Sequence, residues 1–105
     1  MNAIYIKRSH VLEIRIENTL DALQKAVNGY IEAVTLVPDE AVMIVNEEGV
    51  LRRMYPNIIA SAIAGTHIVG DALIVGVDGE EFTDLPLEVA RHILARFRTE
   101  TNYDS

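Results

Sequence analysis

The chain contains no cysteine among its 105 residues, which excludes a disulfide framework, a thiolate zinc site and a thiol nucleophile. Basic residues are also scarce: nine Lys and Arg stand against sixteen Asp and Glu, for a net charge of −7. An acidic chain repels the phosphate polyanion and has few cations with which to displace its counterions, so direct nucleic-acid binding is not expected. The six aromatic residues, four Tyr and two Phe, do not interleave with basic ones as a base-stacking surface requires. Long hydrophobic runs are missing too. Stretches such as Ile58-Ile59-Ala60 and Leu73-Ile74-Val75 fall far short of the ~20 residues of a membrane-spanning helix, and no membrane association is expected. Lys7 and Arg8 follow the first apolar residues, the reverse of a signal peptide, and a cytoplasmic location is the expectation.

What is present is a globular composition, half hydrophobic and 24% charged. It fits one domain, read as residues 1–98 with a flexible tail over 99–105. The acidic excess is uneven: residues 1–29 carry four cations against three anions, and the rest of the chain supplies the negative balance. Such a charge either keeps a small domain soluble or lets an acidic surface imitate DNA toward a DNA-binding protein.

Periodicity gives the elements. Ala3–Ile6 and Val11–Glu17 read as a hairpin, with Leu12, Ile14 and Ile16 alternating against Glu13, Arg15 and Glu17 and turned toward a core. Leu20, Leu23 and Val27 recur at helical spacing behind the capping pair Asn18-Thr19, up to Asn28-Gly29, where Gly29 suits the left-handed helix end. Residues 30–36 and 41–46 read as strands joined through Pro38-Asp39-Glu40. Pro56-Asn57 opens a short helix carried by Ile58, Ile59, Ala62 and Ile63. Residues 66–77 read as a strand bent at Gly70-Asp71, with Glu80–Phe82 returning as an edge. Asp84 caps a final helix whose apolar stripe includes Val89, Ala90, Ile93, Leu94 and Phe97. This order gives an α+β fold: an antiparallel or mixed sheet of about five to six strands with two to three helices packed on one face.

Chemistry-bearing constellations are sparse. The histidines His10, His67 and His92 lie in separate elements without metal-ligand spacing, and no nucleophile elbow, phosphate loop or dinucleotide fingerprint occurs. Ser61 has no base near it in sequence. A site joining His67 and Asp71 to Glu47 or Glu48 requires the bend at Gly70-Asp71 to meet the turn at 46–49. That is the one catalytic arrangement open to a small unfamiliar enzyme. The segment Arg52-Arg53-Met54-Tyr55-Pro56-Asn57 combines guanidinium, aromatic and amide groups of the kind that recognise an anionic or planar ligand, although an exposed loop needs no such role.

One combination of segments is distinctive: Glu17 to Glu32 including Gly29-Tyr30-Ile31-Glu32, then Asn46-Glu47-Glu48-Gly49, Pro56-Asn57 and Ile68-Val69-Gly70-Asp71. From about Ile14 to Phe97 the chain resembles a family of small proteins of unknown function encoded by bacteriophages, plasmids and conjugative elements. The family usually has two glycines before the tyrosine, where this chain has Asn28-Gly29. The resemblance implies a bacterial host cell and an accessory role. The expected function is a non-enzymatic binding protein, without a cofactor, that counters host defence by sequestering a host protein on an acidic, partly apolar surface. An alternative is a sponge for a cyclic-nucleotide immune signal, which would gather arginines in a pocket, commonly between subunits of a homo-oligomer. The candidate binding residues are therefore Arg52, Arg53, Tyr55, Asn57, Glu47, His67 and Asp71.

Overall fold

A computed structural model describes residues 1–97; the tail expected over 99–105 lies outside the described residues. The elements are β1 (Asn2–Lys7), β2 (His10–Arg15), α1 (Leu20–Val27), β3 (Ile31–Val37), β4 (Ala41–Asn46), α2 (Ile58–Ala64), β5 (Ala72–Asp78), β6 (Glu81–Thr83) and α3 (Leu87–Phe97). Every strand pairing is antiparallel, and the sheet runs β2-β1-β5-β4-β3 with β6 paired to the far end of β5. The fold is α+β, with six strands and three helices among the described residues.

The helices do not share one face. Ile4, Ile6, Met43 and Ile74 point to a core closed by Ala60 of α2 and by Ala90 and Ile93 of α3. The alternate residues Ala3, Ile44, Leu73 and Val75 point the other way and are closed by Leu23 and Val27 of α1. The reason is legible in β4, where Ala41-Val42-Met43-Ile44-Val45 is apolar at both parities, so each face of the central strands needs a cover. Fully burying side chains the size of Ile4, Ile44 and Leu73 stabilises the fold by about 2 kcal/mol each relative to exposure.

The strand β2 departs from its simple alternation. Leu12, Ile14 and Ile16 do lie on the α1 face, but β2 is a sheet edge that the eight-residue α1 covers incompletely, and Leu12 stays 38% exposed. Its one fully buried side chain is Val11, on the opposite face.

Three boundaries also differ from the sequence reading. Thr19 Oγ1 caps α1 by accepting from Ala22 N, but Asn28, with φ 66°, takes the left-handed position expected of Gly29. The bend at Gly70-Asp71 sets the start of β5 at Ala72 and leaves 66–71 outside the sheet, apart from a Pro56–Val69 bridge. Asp84 Oδ1 accepts from Asn2 N at 2.6 Å, a tie to β1 where a helix cap was expected. Asn57 does cap α2, which packs through Ile59, Ala60, Ile63 and Ala64 and leaves Ile58 74% exposed. No helix among the described residues is long and apolar enough to cross a membrane.

Candidate functional site

The end of the sheet at which α1 terminates gathers the segments singled out in the sequence. An α-helix leaves its last carbonyls without internal partners. Here three consecutive ones are taken by side chains from elsewhere in the chain. Tyr5 Oη donates to Ala26 O at 2.7 Å, Asn46 Nδ2 to Val27 O at 2.9 Å and Arg52 Nη1 to Asn28 O at 2.6 Å. The Arg52 cation also sits favourably at the negative end of the helix dipole. Its role is thus to cap a helix, and its guanidinium is not turned into a ligand cleft.

Asn57 is fully buried and bonded on both sides of its amide. Nδ2 donates to Ile6 O at 3.1 Å and Gly70 O at 2.8 Å, while Oδ1 accepts from Ala60 N at 3.1 Å. It ties β1, α2 and the 66–71 segment together and is not available to a ligand. Ser61 Oγ is likewise committed, accepting from Ile68 N at 2.8 Å and donating to Ile68 O at 3.2 Å.

Asp71 is the centre of a second network. Tyr55 Oη donates to Asp71 Oδ1 at 2.5 Å, and Tyr5 Oη lies 3.2 Å from Oδ2 while also donating to Ala26 O. Arg8 N donates to Tyr55 Oη at 2.7 Å, and the Arg8 guanidinium stacks 4.4 Å from the Tyr55 ring centroid. Gly70 precedes the aspartate with φ 79°, a left-handed conformation that calls for glycine, and Met54 Sδ packs where a Cβ would stand. Burial first, and then the Asp71 carboxylate, push the Tyr5 hydroxyl up to about 12; burial and the hydrogen bond to Asp71 push Tyr55 up to about 12 as well. At neutral pH both tyrosines are protonated donors, with no tendency to act as bases or nucleophiles.

The raised values give a signed prediction. Because the fold favours the protonated hydroxyls, their contribution to stability is complete below the ordinary tyrosine value of 10.0 and is lost as pH rises through about 12. Ultraviolet absorbance of tyrosinate should therefore show a late ionisation step coincident with alkaline loss of structure. That step should vanish in the Tyr5→Phe, Tyr55→Phe double variant, and its persistence there would assign it to other groups.

Two clefts open at this end. The smaller, about 230 Å³, is lined by Lys7, Arg8, Asn28, Met54, Tyr55 and Asp71. The larger, about 590 Å³, has Glu32, Glu47, Glu48 and His67 around an apolar surface that includes Val34, Val45, Val50 and Leu51. Of the candidate residues, Tyr55 and Asp71 meet in the first cleft and Glu47 and His67 in the second. His67 and Asp71, the pair required by a catalytic reading, line different clefts. Arg53 is exposed with φ 57° and, like Arg52, lines neither. Among the described residues, no group of three or more His, Asp or Glu is disposed to hold a metal ion.

Sequence reasoning missed Tyr5, Lys7 and Arg8. The available signal was a tyrosine inside a strand directly before a basic hairpin turn, but its partners are 21 to 66 residues away.

Residues 1–98 match the family described as a domain of unknown function (DUF3846), and the chain belongs to that family. Comparisons with curated proteins and with solved structures give no match.

Proposed function

We propose that this protein is a non-enzymatic accessory binding protein that holds a basic segment of a partner protein in the larger cleft. In its fuller form, the reading is a phage or mobile-element product that counters host defence by sequestering a host protein. The observation that carries the binding role is the cleft itself. Three glutamates surround an apolar surface, no Lys or Arg lines it, and its wall includes Val50 and Leu51, which are 72% and 81% exposed. Large aliphatic side chains left in water beside unneutralised carboxylates suit an apolar anchor flanked by Lys or Arg. The apolar component separates this reading from DNA mimicry, which needs only charge. A cleft of about 590 Å³ is also within the roughly 300–1,000 Å³ typical of preformed sites.

The test uses fluorescence anisotropy with a labelled peptide carrying apolar anchors between lysines, and an equivalent peptide carrying glutamates. Saturable binding of the basic peptide alone is expected, weakening with salt and by about tenfold or more in the Glu47→Lys, Glu48→Lys double variant. Equal binding of both peptides, or of neither, would overturn the reading.

A further inference from the structure

The smaller cleft reverses the charge of the molecule around it. Its lining carries Lys7 and Arg8 against one carboxylate, Asp71, in a chain of net charge −7. Neither cation is ion-paired among the described residues, in contrast to Lys25, which pairs with Asp21 on α1. The carboxylate is the group that is occupied. Its Oδ1 accepts from Tyr55 Oη and its Oδ2 lies 3.2 Å from Tyr5 Oη, so the carboxylate is held toward the two tyrosines. Arg8 is held in place from two directions: its backbone N–H is fixed on Tyr55 Oη, and its guanidinium carbon lies over the same ring, 4.4 Å from the centroid. A guanidinium held over a ring by a cation–π contact still has N–H donors to offer a planar or tetrahedral oxyanion.

From these contacts we infer that the smaller cleft is a binding site for a phosphoryl group, with Arg8 as the directional donor and Lys7 as the second cation. At about 230 Å³ the cleft is below the roughly 300 Å³ at which whole drug-sized ligands are enclosed, so it takes the phosphate of a phosphate monoester and leaves the remainder outside. Tyr55 positions Arg8; it does not touch the ligand. The site is separate from the acidic cleft, and its failure would leave the proposed protein-binding role standing.

Calorimetric titration of the full chain with inorganic phosphate, a nucleoside 5′-monophosphate and the unphosphorylated nucleoside tests the assignment. Saturable binding of one or both phosphorylated probes is expected, with none of the nucleoside. Tighter binding of the nucleotide identifies a monoester as the natural ligand class, and equal binding identifies the free anion. Arg8→Asn tolerates the left-handed backbone at φ 55° and should weaken binding by about tenfold or more. Lys7→Gln, at an exposed position where folding is not at stake, should weaken it by a smaller factor, and Arg91→Gln on the exposed side of α3 should not. Absence of saturable binding to either phosphorylated probe, or binding indifferent to both Arg8→Asn and Lys7→Gln, would overturn the inference.

Discussion

Replacing Asn57 with alanine is expected to lower the unfolding free energy by roughly 3–5 kcal/mol, measured by chemical denaturation, because three buried backbone groups lose their partner together. Ile6 O and Gly70 O lose a donor, and Ala60 N loses the oxygen that caps α2. Water cannot replace the amide readily, since the side chain has no exposed surface. Asn57→Asp should be at least as damaging: it keeps an acceptor for Ala60 N but turns a carboxylate oxygen toward two carbonyls. A loss under about 1 kcal/mol for the alanine variant would show that the three groups find other partners, contrary to the geometry.

The second large effect is expected at Gly76. A Cβ on this residue would lie 2.2 Å from Asp84 O, 3.0 Å from Asp84 C and 3.2 Å from Pro86 Cδ. The obstacle is backbone, so no rotamer change relieves it. The segment leading into α3 would have to lift from β5, loosening the bonds that Asn2 makes with Asp84 and Leu85. Gly76→Ala should cost about 3 kcal/mol or more, as overpacking against a rigid neighbour does. Gly79→Ala is the matched control. Nothing lies within 4 Å of its added methyl, and only its φ of +65° resists, for about 1 kcal/mol. Similar losses at the two positions would refute the steric account.

Much of this architecture follows from local pattern. The caps at Thr19 and Asn57, the glycine ending α2, the turn at Pro38-Asp39-Glu40 and the apolar stripe of α3 are short-range signals, and each element stands where they place it. The placement of α1 on its own face was legible in the uninterrupted apolar residues of β4 and β5, which contradict a sheet covered on one side. The candidate site was less legible, because it is made by long-range convergence. Tyr55 and Asp71 are visible as unusual residues in loops, but their shared neighbour Tyr5 comes from the opposite end of the chain. Chemical type alone makes Arg52 and Asn57 ligand groups. Type does not disclose that one caps a helix and the other is sealed inside the fold.

The central position of β5 bears on the order in which the chain is able to fold. The β1–β2 and β3–β4 hairpins are each local, yet neither pairs with the other; among the described residues the sheet joins them through residues 72–76 of β5. During synthesis, a nascent chain that has reached residue 71 therefore holds two separate ribbons with unsatisfied edges. The two joins differ in the loop they close: β5 reaches β4 across about 30 residues but β1 across about 70, so the β1–β5 ladder carries the larger entropic cost of closure.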